Sequence, residues 1–262
     1  MLIDSHCHLD HWSAEERPGL IARAHEAGVE AVITIGVRLR QAATVKAIAE
    51  AFPEVWCTVG IHPHNAAEEP LPEVAELVAL ADHPRVVGIG ESGLDYHYDK
   101  APRGIAAESF RRHIRAARET GLPLVVHARD ADADIALILK DERERGGAFP
   151  FVMHCFSSSR QLAETAVELG GLISFSGILT FRRSEELRAL ARDLPVDRLL
   201  VETDAPYLAP EPFRGKRCEP GMVAHTARAL AQVRGLGLSA LAELTTANTL
   251  RLFRRLRLPA AA

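Results

Sequence analysis

Eight short apolar runs alternate with longer segments of helical period along the chain, and this alternation limits the possible folds more than any other feature. The runs are almost continuously apolar, which indicates strands of a parallel sheet that helices cover on both faces. Strands are predicted at residues 2–4, 29–35, 55–59, 86–89, 124–126, 151–153, 172–175 and 199–201.

Helices are predicted between these strands. The first is bounded by a capping box at Ser13–Glu16 and a stop at Gly28. The others are predicted at residues 39–51, 72–81, 108–120, 132–142, 159–169, 184–193, 222–234 and 239–250. Eight strand-helix units predict an α/β fold, a single TIM-type (β/α)8 barrel domain over residues 1–262. A doubly wound open sheet is the alternative, although the usual dinucleotide-binding form is excluded because no Gly-x-Gly-x-x-Gly follows the first strand.

Charge and cysteine content narrow the class of protein. With 31 basic and 35 acidic residues the net charge is −4, which argues against electrostatic coating of nucleic acid or an anionic membrane. The four cysteines show no Cys-x-x-Cys spacing, and we find no signal peptide and no apolar stretch long enough to span a membrane. We therefore expect a cytoplasmic protein without membrane attachment. Nothing indicates an obligate protein partner, and we expect a monomer.

The 12 histidines are more than a chain of this length ordinarily uses, and several stand at strand ends together with carboxylates. A single histidine at a strand end is more often structural, but here metal-ligand side chains follow five of the predicted strands. In a barrel these ends converge on one face, so the coincidence predicts a metal site. The candidate ligands are His6, His8, Glu91, His127, His154 and Asp204.

Residues i and i+2 of an extended chain point the same way, so His6 and His8 can reach one ion while Cys7 points elsewhere. The same geometry turns Cys155 away from His154, and both cysteines are excluded as ligands. Six ligands exceed the needs of one ion, which favours two ions bridged by a carboxylate. No lysine lies at a strand end, so Glu91 is the predicted bridge.

Nitrogen and oxygen ligands suit Zn²⁺, Mn²⁺ or Mg²⁺. Two such ions lower the pKa of a shared water and stabilise an in-line displacement at phosphorus. Asp204 can bind one ion and take the proton from that water. Glu91 and Asp204 are therefore the predicted catalytic residues.

With these residues in place, the sequence resembles the TatD family of metal-dependent deoxyribonucleases nearly end to end. The resemblance implies a (β/α)8 barrel with one metal at His6, His8, Glu91 and Asp204 and a second at Glu91, His127 and His154. It also implies hydrolysis of DNA phosphodiester bonds, in some members as a 3′ to 5′ exonuclease. The matching motifs are residues 4–10, 60–64, 90–96, 127–131, 153–157, 202–208 and 214–217 followed by Glu219-Pro220.

Two departures from the family pattern stand out. Cys218 replaces the usual asparagine before Glu219, which puts substrate contacts there in doubt. Ala106 and His113 replace glutamines that are common on the helix before the fifth strand.

Other residues of the same face are candidate substrate contacts. His62 is expected to contact phosphate or water, whereas Pro63 is expected to turn His64 outward. Arg129 either grips a phosphate or pairs with Asp130. The remaining assignments are a basic loop of Arg214, Lys216 and Arg217, base stacking on Tyr96 or Tyr207, an orienting role for Glu202, and no role for His11, His25, His83, His97, His113 and His225.

The leading hypothesis is a divalent-metal phosphodiesterase acting on DNA, either single strands or 3′ ends. A second hypothesis keeps the two metals but takes a small phosphoester, or an ester or amide such as an aminoacyl-tRNA, and it is favoured by the acidic net charge and Cys218. A third is a barrel that binds metal or nucleic acid without catalysis.

Overall fold

Eight parallel strands pair in chain order to form one sheet. The structure is a computed structural model and describes residues 1–258. The sheet curls into a nearly closed barrel, in which Cys7 of the first strand pairs with Ala205 in the segment after the last strand. The (β/α)8 prediction is confirmed, and the open-sheet alternative is wrong. The strands are β1 Leu2–Cys7, β2 Val29–Thr34, β3 Val55–Val59, β4 Val86–Asp95, β5 Leu124–Arg129, β6 Phe151–Met153, β7 Leu172–Phe175 and β8 Leu199–Val201.

Helices cover the outside of the barrel. The predicted capping box forms, because Ser13 N–H donates to Glu16 Oε2 at 2.8 Å and Glu16 N–H donates to Ser13 Oγ at 3.4 Å, but the helix begins only at Arg17. No helix in residues 1–258 is long and apolar enough to cross a membrane. The helices are α1 Arg17–Glu26, α2 Ala42–Ala51, α3 Val74–Ala81, α4 Arg103–Thr120, α5 Asp132–Gly146, α6 Arg160–Glu168, α7 Glu185–Asp193, α8 Val223–Arg234 and α9 Leu238–Leu252.

Strands β1, β4 and β5 are longer than predicted. Their predicted ends lay where polar residues begin, but strand pairing resumes beyond those residues. The mouth of the barrel buries the polar side chains of β1 and β4, whereas Arg129 at the end of β5 is exposed. His6, Glu91 and His127 therefore lie within strands. His127 pairs with Gly93, whereas His6 and Glu91 lie at register shifts and are held by other backbone hydrogen bonds: the His6 carbonyl accepts from the Asp204 N–H, and the Glu91 N–H donates to the Gly36 carbonyl.

The interior of the barrel is apolar below the mouth. Every strand contributes to one buried cluster, and Leu252, Phe253 and Leu256 close it from below. A larger cluster fills the space between strands and helices. Within residues 1–258, the buried histidines and the carboxylates that face them gather at the carboxyl ends of the strands, so metal-binding chemistry is expected at that face.

Hydrogen bonds across the junction of β8 with β1 position three predicted ligands. Asp204 N–H donates to the His6 carbonyl at 2.9 Å, and His8 N–H donates to the Ala205 carbonyl at 2.8 Å. The buried Asp4 carboxylate accepts from the Thr203 N–H at 2.8 Å and from its hydroxyl at 2.6 Å. This junction brings His6, His8 and Asp204 to one side of the mouth.

A close backbone approach fixes the segment that follows β3. A Cβ at Gly60 would lie 2.4 Å from Gly90 Cα, next to Glu91. The Gly60→Ala variant must push the two segments apart, and we expect it to lower the free energy of unfolding by roughly 1–3 kcal/mol, as overpacking does. Urea unfolding measures this change.

The matched control is Gly104→Ala in α4, where an added Cβ meets nothing within 4 Å. It should keep or slightly raise the free energy of unfolding, because alanine favours helix. Equal stability of both variants would contradict the close approach.

Candidate metal centre

All six predicted ligands meet at the mouth of the barrel. β1 and the residue after it carry His6 and His8, while β4 and β5 carry Glu91 and His127. His154 and Asp204 follow β6 and β8. Four of the six have side chains less than one-tenth exposed, whereas His127 and Asp204 are open by 17% and 15%.

The two oxygens of Glu91 face different sets of imidazoles. Oε2 lies 3.5 Å from His6 Nε2 and 4.0 Å from His8 Nε2. Oε1 lies 3.0 Å from His127 Nδ1 and 2.7 Å from His154 Nε2. Asp204 Oδ1 completes the first set, at 3.6 Å from His6 Nε2 and 3.5 Å from His8 Nε2. One carboxylate thus separates two groups of ligand atoms.

The first group fits a metal ion. His6 is fully buried, yet neither of its ring nitrogens has a hydrogen-bond partner within residues 1–258, a costly arrangement without a ligand. Two atoms each about 2.1 Å from one tetrahedral Zn²⁺ lie roughly 3.4 Å apart. The separations of 3.5 and 3.6 Å around His6 match this spacing better than direct hydrogen bonds. His6, His8 and Asp204 offer ligand atoms within 4.8 Å of one another.

Burial and charge oppose each other in the pKa values of the centre. Burial lowers the pKa of His6, which favours the neutral imidazole that binds metal. Burial acts the same way on His154, but the charge of Glu91 outweighs it and raises that pKa. Burial acts to raise the pKa of Glu91, but the charge of His154 holds it well below its usual value. A cation must therefore displace protons from this centre, and its affinity falls in acid.

Two further carboxylates orient the histidines of the second group. Glu202 Oε1 lies 3.2 Å from His154 Nδ1 and accepts from the Cys155 N–H at 2.7 Å. Asp95 Oδ2 lies 3.1 Å from His127 Nε2. Each carboxylate accepts the ring proton on the far side, which leaves the nitrogen that faces Glu91 free to bind a cation.

Asp95 is a functional residue that the sequence analysis missed. β4 was predicted to end at residue 89, which placed Asp95 far into a loop, whereas the strand runs to Asp95 itself. The sequence spacing could have indicated Asp95, because Glu91 and Asp95 are four residues apart and lie on the same side of an extended chain.

His62 and His64 both belong to the site. His62 Nδ1 accepts from the His64 N–H at 3.0 Å, so the neutral ring carries its proton on Nε2, 3.4 Å from Glu91 Oε1. Burial lowers the pKa of His62 to about 4. A protonated Nε2 donates and does not ligate, although His62, Glu91 and His127 lie close enough to share an ion. The expectation that His64 turns outward is wrong, because its Nε2 lies 2.7 Å from Asp95 Oδ2.

The cysteines are turned to other partners. Cys7 Sγ donates to the Ile33 carbonyl, and Cys155 Sγ lies 3.2 Å from Ser176 Oγ. Cys218 is fully buried, so the replacement of the usual asparagine removes no group from the open mouth.

Several basic side chains lie exposed on the rim of the barrel mouth. The exposed Arg129 has no carboxylate within 4.0 Å in residues 1–258, and Asp130 lies instead 3.1 Å from His97. Arg214 and Lys216 are also exposed and without a carboxylate partner in the described chain, packing over Phe181 and Phe213. Arg217 differs, because it donates to the His11 carbonyl and lies 3.6 Å from Glu16.

Tyr96 is not free to stack on a base. Its hydroxyl donates to Asp134 Oδ2 at 2.5 Å, and the Arg103 guanidinium lies 3.9 Å from its ring centroid. We therefore withdraw the substrate-binding role expected of Tyr96. These contacts tie the side chain to α4 and α5 instead of the mouth.

Two histidines without a predicted role prove to be placed near the site. The ring of His11 lies 5.9 Å from that of His8. Its predicted location away from this face is wrong. His113 is buried on α4, and its Nε2 accepts from the Ile61 N–H at 3.0 Å, which supports the segment that carries His62.

A family model described as TatD related DNase matches residues 3–254. The chain belongs to the TatD family. It is 41% identical to "Uncharacterized metal-dependent hydrolase YcfH" of Escherichia coli over 96% of this chain and 95% of that protein. It is 34% identical to "3'-5' ssDNA/RNA exonuclease TatD" of Escherichia fergusonii over 92% of this chain and 94% of that one.

A solved TatD structure has the same fold. The Escherichia coli TatD homologue YJJV is 30% identical and superposes with a TM-score of 0.89, covering 97% of this chain and 98% of that one. The TatD resemblance expected from the motifs is confirmed.

The orienting carboxylates generate a prediction about metal affinity. Asp95→Asn and Glu202→Gln remove the charge that holds His127 and His154, and we expect each to lower the affinity for Zn²⁺ or Mn²⁺ by about 10–100-fold. Competition with a chromophoric chelator measures the affinity. Asp193→Asn is the matched control, because Asp193 forms an exposed ion pair with Arg160, and it should keep the wild-type metal affinity. Unchanged affinity in both site variants would rule out the orienting role.

Proposed function

We propose that this TatD protein is a two-metal phosphodiesterase that removes nucleotides from the 3′ end of single-stranded DNA. The observation that carries the proposal is the placement of Glu91, whose two oxygens face separate groups of imidazoles at 3.5–4.0 Å and 2.7–3.0 Å. The direction of cleavage rests on the exonuclease relative alone.

The residues fit two ions with a shared ligand. His6, His8, Glu91 and Asp204 would hold one ion, and Glu91, His127 and His154 would hold the other. Divalent Zn²⁺, Mn²⁺ or Mg²⁺ would lower the pKa of a water and neutralise charge on the scissile phosphate.

Asp204 is the proposed acceptor of the proton from the attacking water. Burial acts to raise its pKa, but the interaction with His8 outweighs this and keeps the pKa below its usual value. The residue is thus a carboxylate at neutral pH, with part of its side chain open to the mouth.

Other side chains of the mouth bind and orient the substrate in this proposal. His62 Nε2–H donates toward the attacking water or a phosphate oxygen beside Glu91. Arg129 can bind a phosphate in a bidentate manner, and Arg214 and Lys216 supply positive charge on the rim. A protein of net charge −4 concentrates its affinity for DNA at this face and binds DNA weakly elsewhere.

The alternative substrates are a small phosphoester or an aminoacyl ester on tRNA. Cys218 no longer favours them, because its side chain is fully buried. They are outcomes of the test that follows.

We expect 5′-labelled single-stranded DNA to be shortened stepwise from its 3′ end when Mg²⁺, Mn²⁺ or Zn²⁺ is present. Glu91→Ala should reduce this cleavage at least 100-fold, on the order of the loss of a major catalytic group. The exposed Glu26→Ala on α1 is the matched carboxylate control and should retain activity. Gel electrophoresis of the products measures the rate of cleavage by both variants.

Metal-independent cleavage, or equal cleavage by Glu91→Ala, would contradict the proposal. Turnover of an aminoacyl ester or a small phosphoester far above that of DNA would instead assign the same centre to the alternative substrate.

A further inference from the structure

Two of the three tyrosines of the chain are open to solvent, in the loops that follow β4 and β8. Tyr98 is 52% exposed and follows β4, while Tyr207 is 51% exposed and follows β8. In an eight-stranded barrel paired in chain order, β4 and β8 are diametrically opposite. The two rings therefore stand on opposite sides of the metal centre.

We propose that Tyr98 and Tyr207 form a two-sided base clamp, in which the nucleosides on either side of the scissile phosphate each stack on one ring. The proposal rests on the proposed phosphodiesterase function and names its substrate class. That class is single-stranded nucleic acid with a base on both sides of the bond that is cleaved.

Each ring borders one side of the centre. The Tyr207 ring lies 6.2 Å from the ring of His8, on the Oε2 side of Glu91. The Tyr98 ring lies 5.1 Å from the ring of His64, which contacts Asp95 and lies 6.1 Å from the ring of His127, on the Oε1 side. A phosphate bound above Glu91 would thus lie between Tyr98 and Tyr207.

Both tyrosines are held by backbone hydrogen bonds to residues of the site. Tyr207 N–H donates to the Asp204 carbonyl at 2.9 Å. Tyr98 N–H donates to Asp95 Oδ1 at 2.8 Å, and the other oxygen of Asp95 contacts His127. The rings are exposed but their attachment points are fixed relative to the ligands, which is what a stacking platform requires.

Cations beside Tyr98 suit a nucleic acid backbone. The guanidinium of Arg129 lies 5.0 Å from the Tyr98 ring centroid, and the Lys100 amine lies 5.6 Å from it. On the other side, Tyr207 has an aromatic neighbour instead of a cation, since the His11 ring lies 5.7 Å from its ring. Aromatic faces next to positive charge bind single strands with little sequence preference, whereas paired bases in a duplex keep their faces covered.

Base stacking predicts a preference that depends on position. Dinucleotides are prepared with both bases, or with an abasic tetrahydrofuran residue on the 5′ or the 3′ side, and kcat/KM is measured for each. Tyr98→Leu should lower the preference for a base over the abasic residue roughly tenfold on one side only, and Tyr207→Leu should do so on the other. Tyr98→Phe and Tyr207→Phe each keep a stacking face and should retain the preference. Leu137→Ala, exposed on α5, is the control outside the mouth.

A binding measurement separates the clamp from catalysis. A dinucleotide with a hydrolysis-resistant phosphorothioate linkage carries 2-aminopurine, whose fluorescence is quenched when it stacks. The clamp is supported if Tyr98→Leu and Tyr207→Leu lose the quenching and Tyr98→Phe and Tyr207→Phe keep it. This result would stand even if wild-type protein cleaves no phosphodiester and the proposed function fails. Equal losses on base-bearing and abasic dinucleotides, or no quenching by wild-type protein, would overturn the clamp.

Discussion

A single buried carboxylate, that of Glu91, is the constraint on which the rest of the mouth depends. Placing a charged carboxylate inside a barrel is costly unless positive charge and hydrogen-bond donors surround it. The protein meets this cost with imidazoles from β1, β5 and the residue after β6, which are divided between the two oxygens of the carboxylate. The same arrangement leaves a separate group of ligand atoms at each carboxylate oxygen, and the proposed function assigns one cation to each group.

The fold supports this carboxylate through contacts that are not themselves ligands. The β8–β1 junction holds His6, His8 and Asp204 through backbone hydrogen bonds. Asp95 and Glu202 fix the rings of His127 and His154 from behind. Asp95 also reaches the backbone of Tyr98, so the geometry of the centre extends to the surface that would receive substrate.

Much of this could be predicted from the sequence, because buried parallel strands are apolar along their whole length and ligands are recognisable by type at their ends. The carboxyl ends of β1, β4 and β5 could not be predicted, since a run of polar side chains at a barrel mouth looks in the sequence like the start of a loop. Asp95 was missed for this reason. Loop residues were the weakest predictions: Tyr96 and Tyr98 are two residues apart, yet one is bound to Asp134 and the other faces solvent. Only the path of the loop decides between them.

The central claim is that Glu91 lies between two cation sites. Anomalous diffraction from crystals of protein purified without chelator and supplied with Zn²⁺ or Mn²⁺ tests it most directly. The account predicts two anomalous peaks, one on the Oε2 side near His6, His8 and Asp204 and one on the Oε1 side near His127 and His154. A single peak, or peaks that Glu91 does not contact, would contradict it.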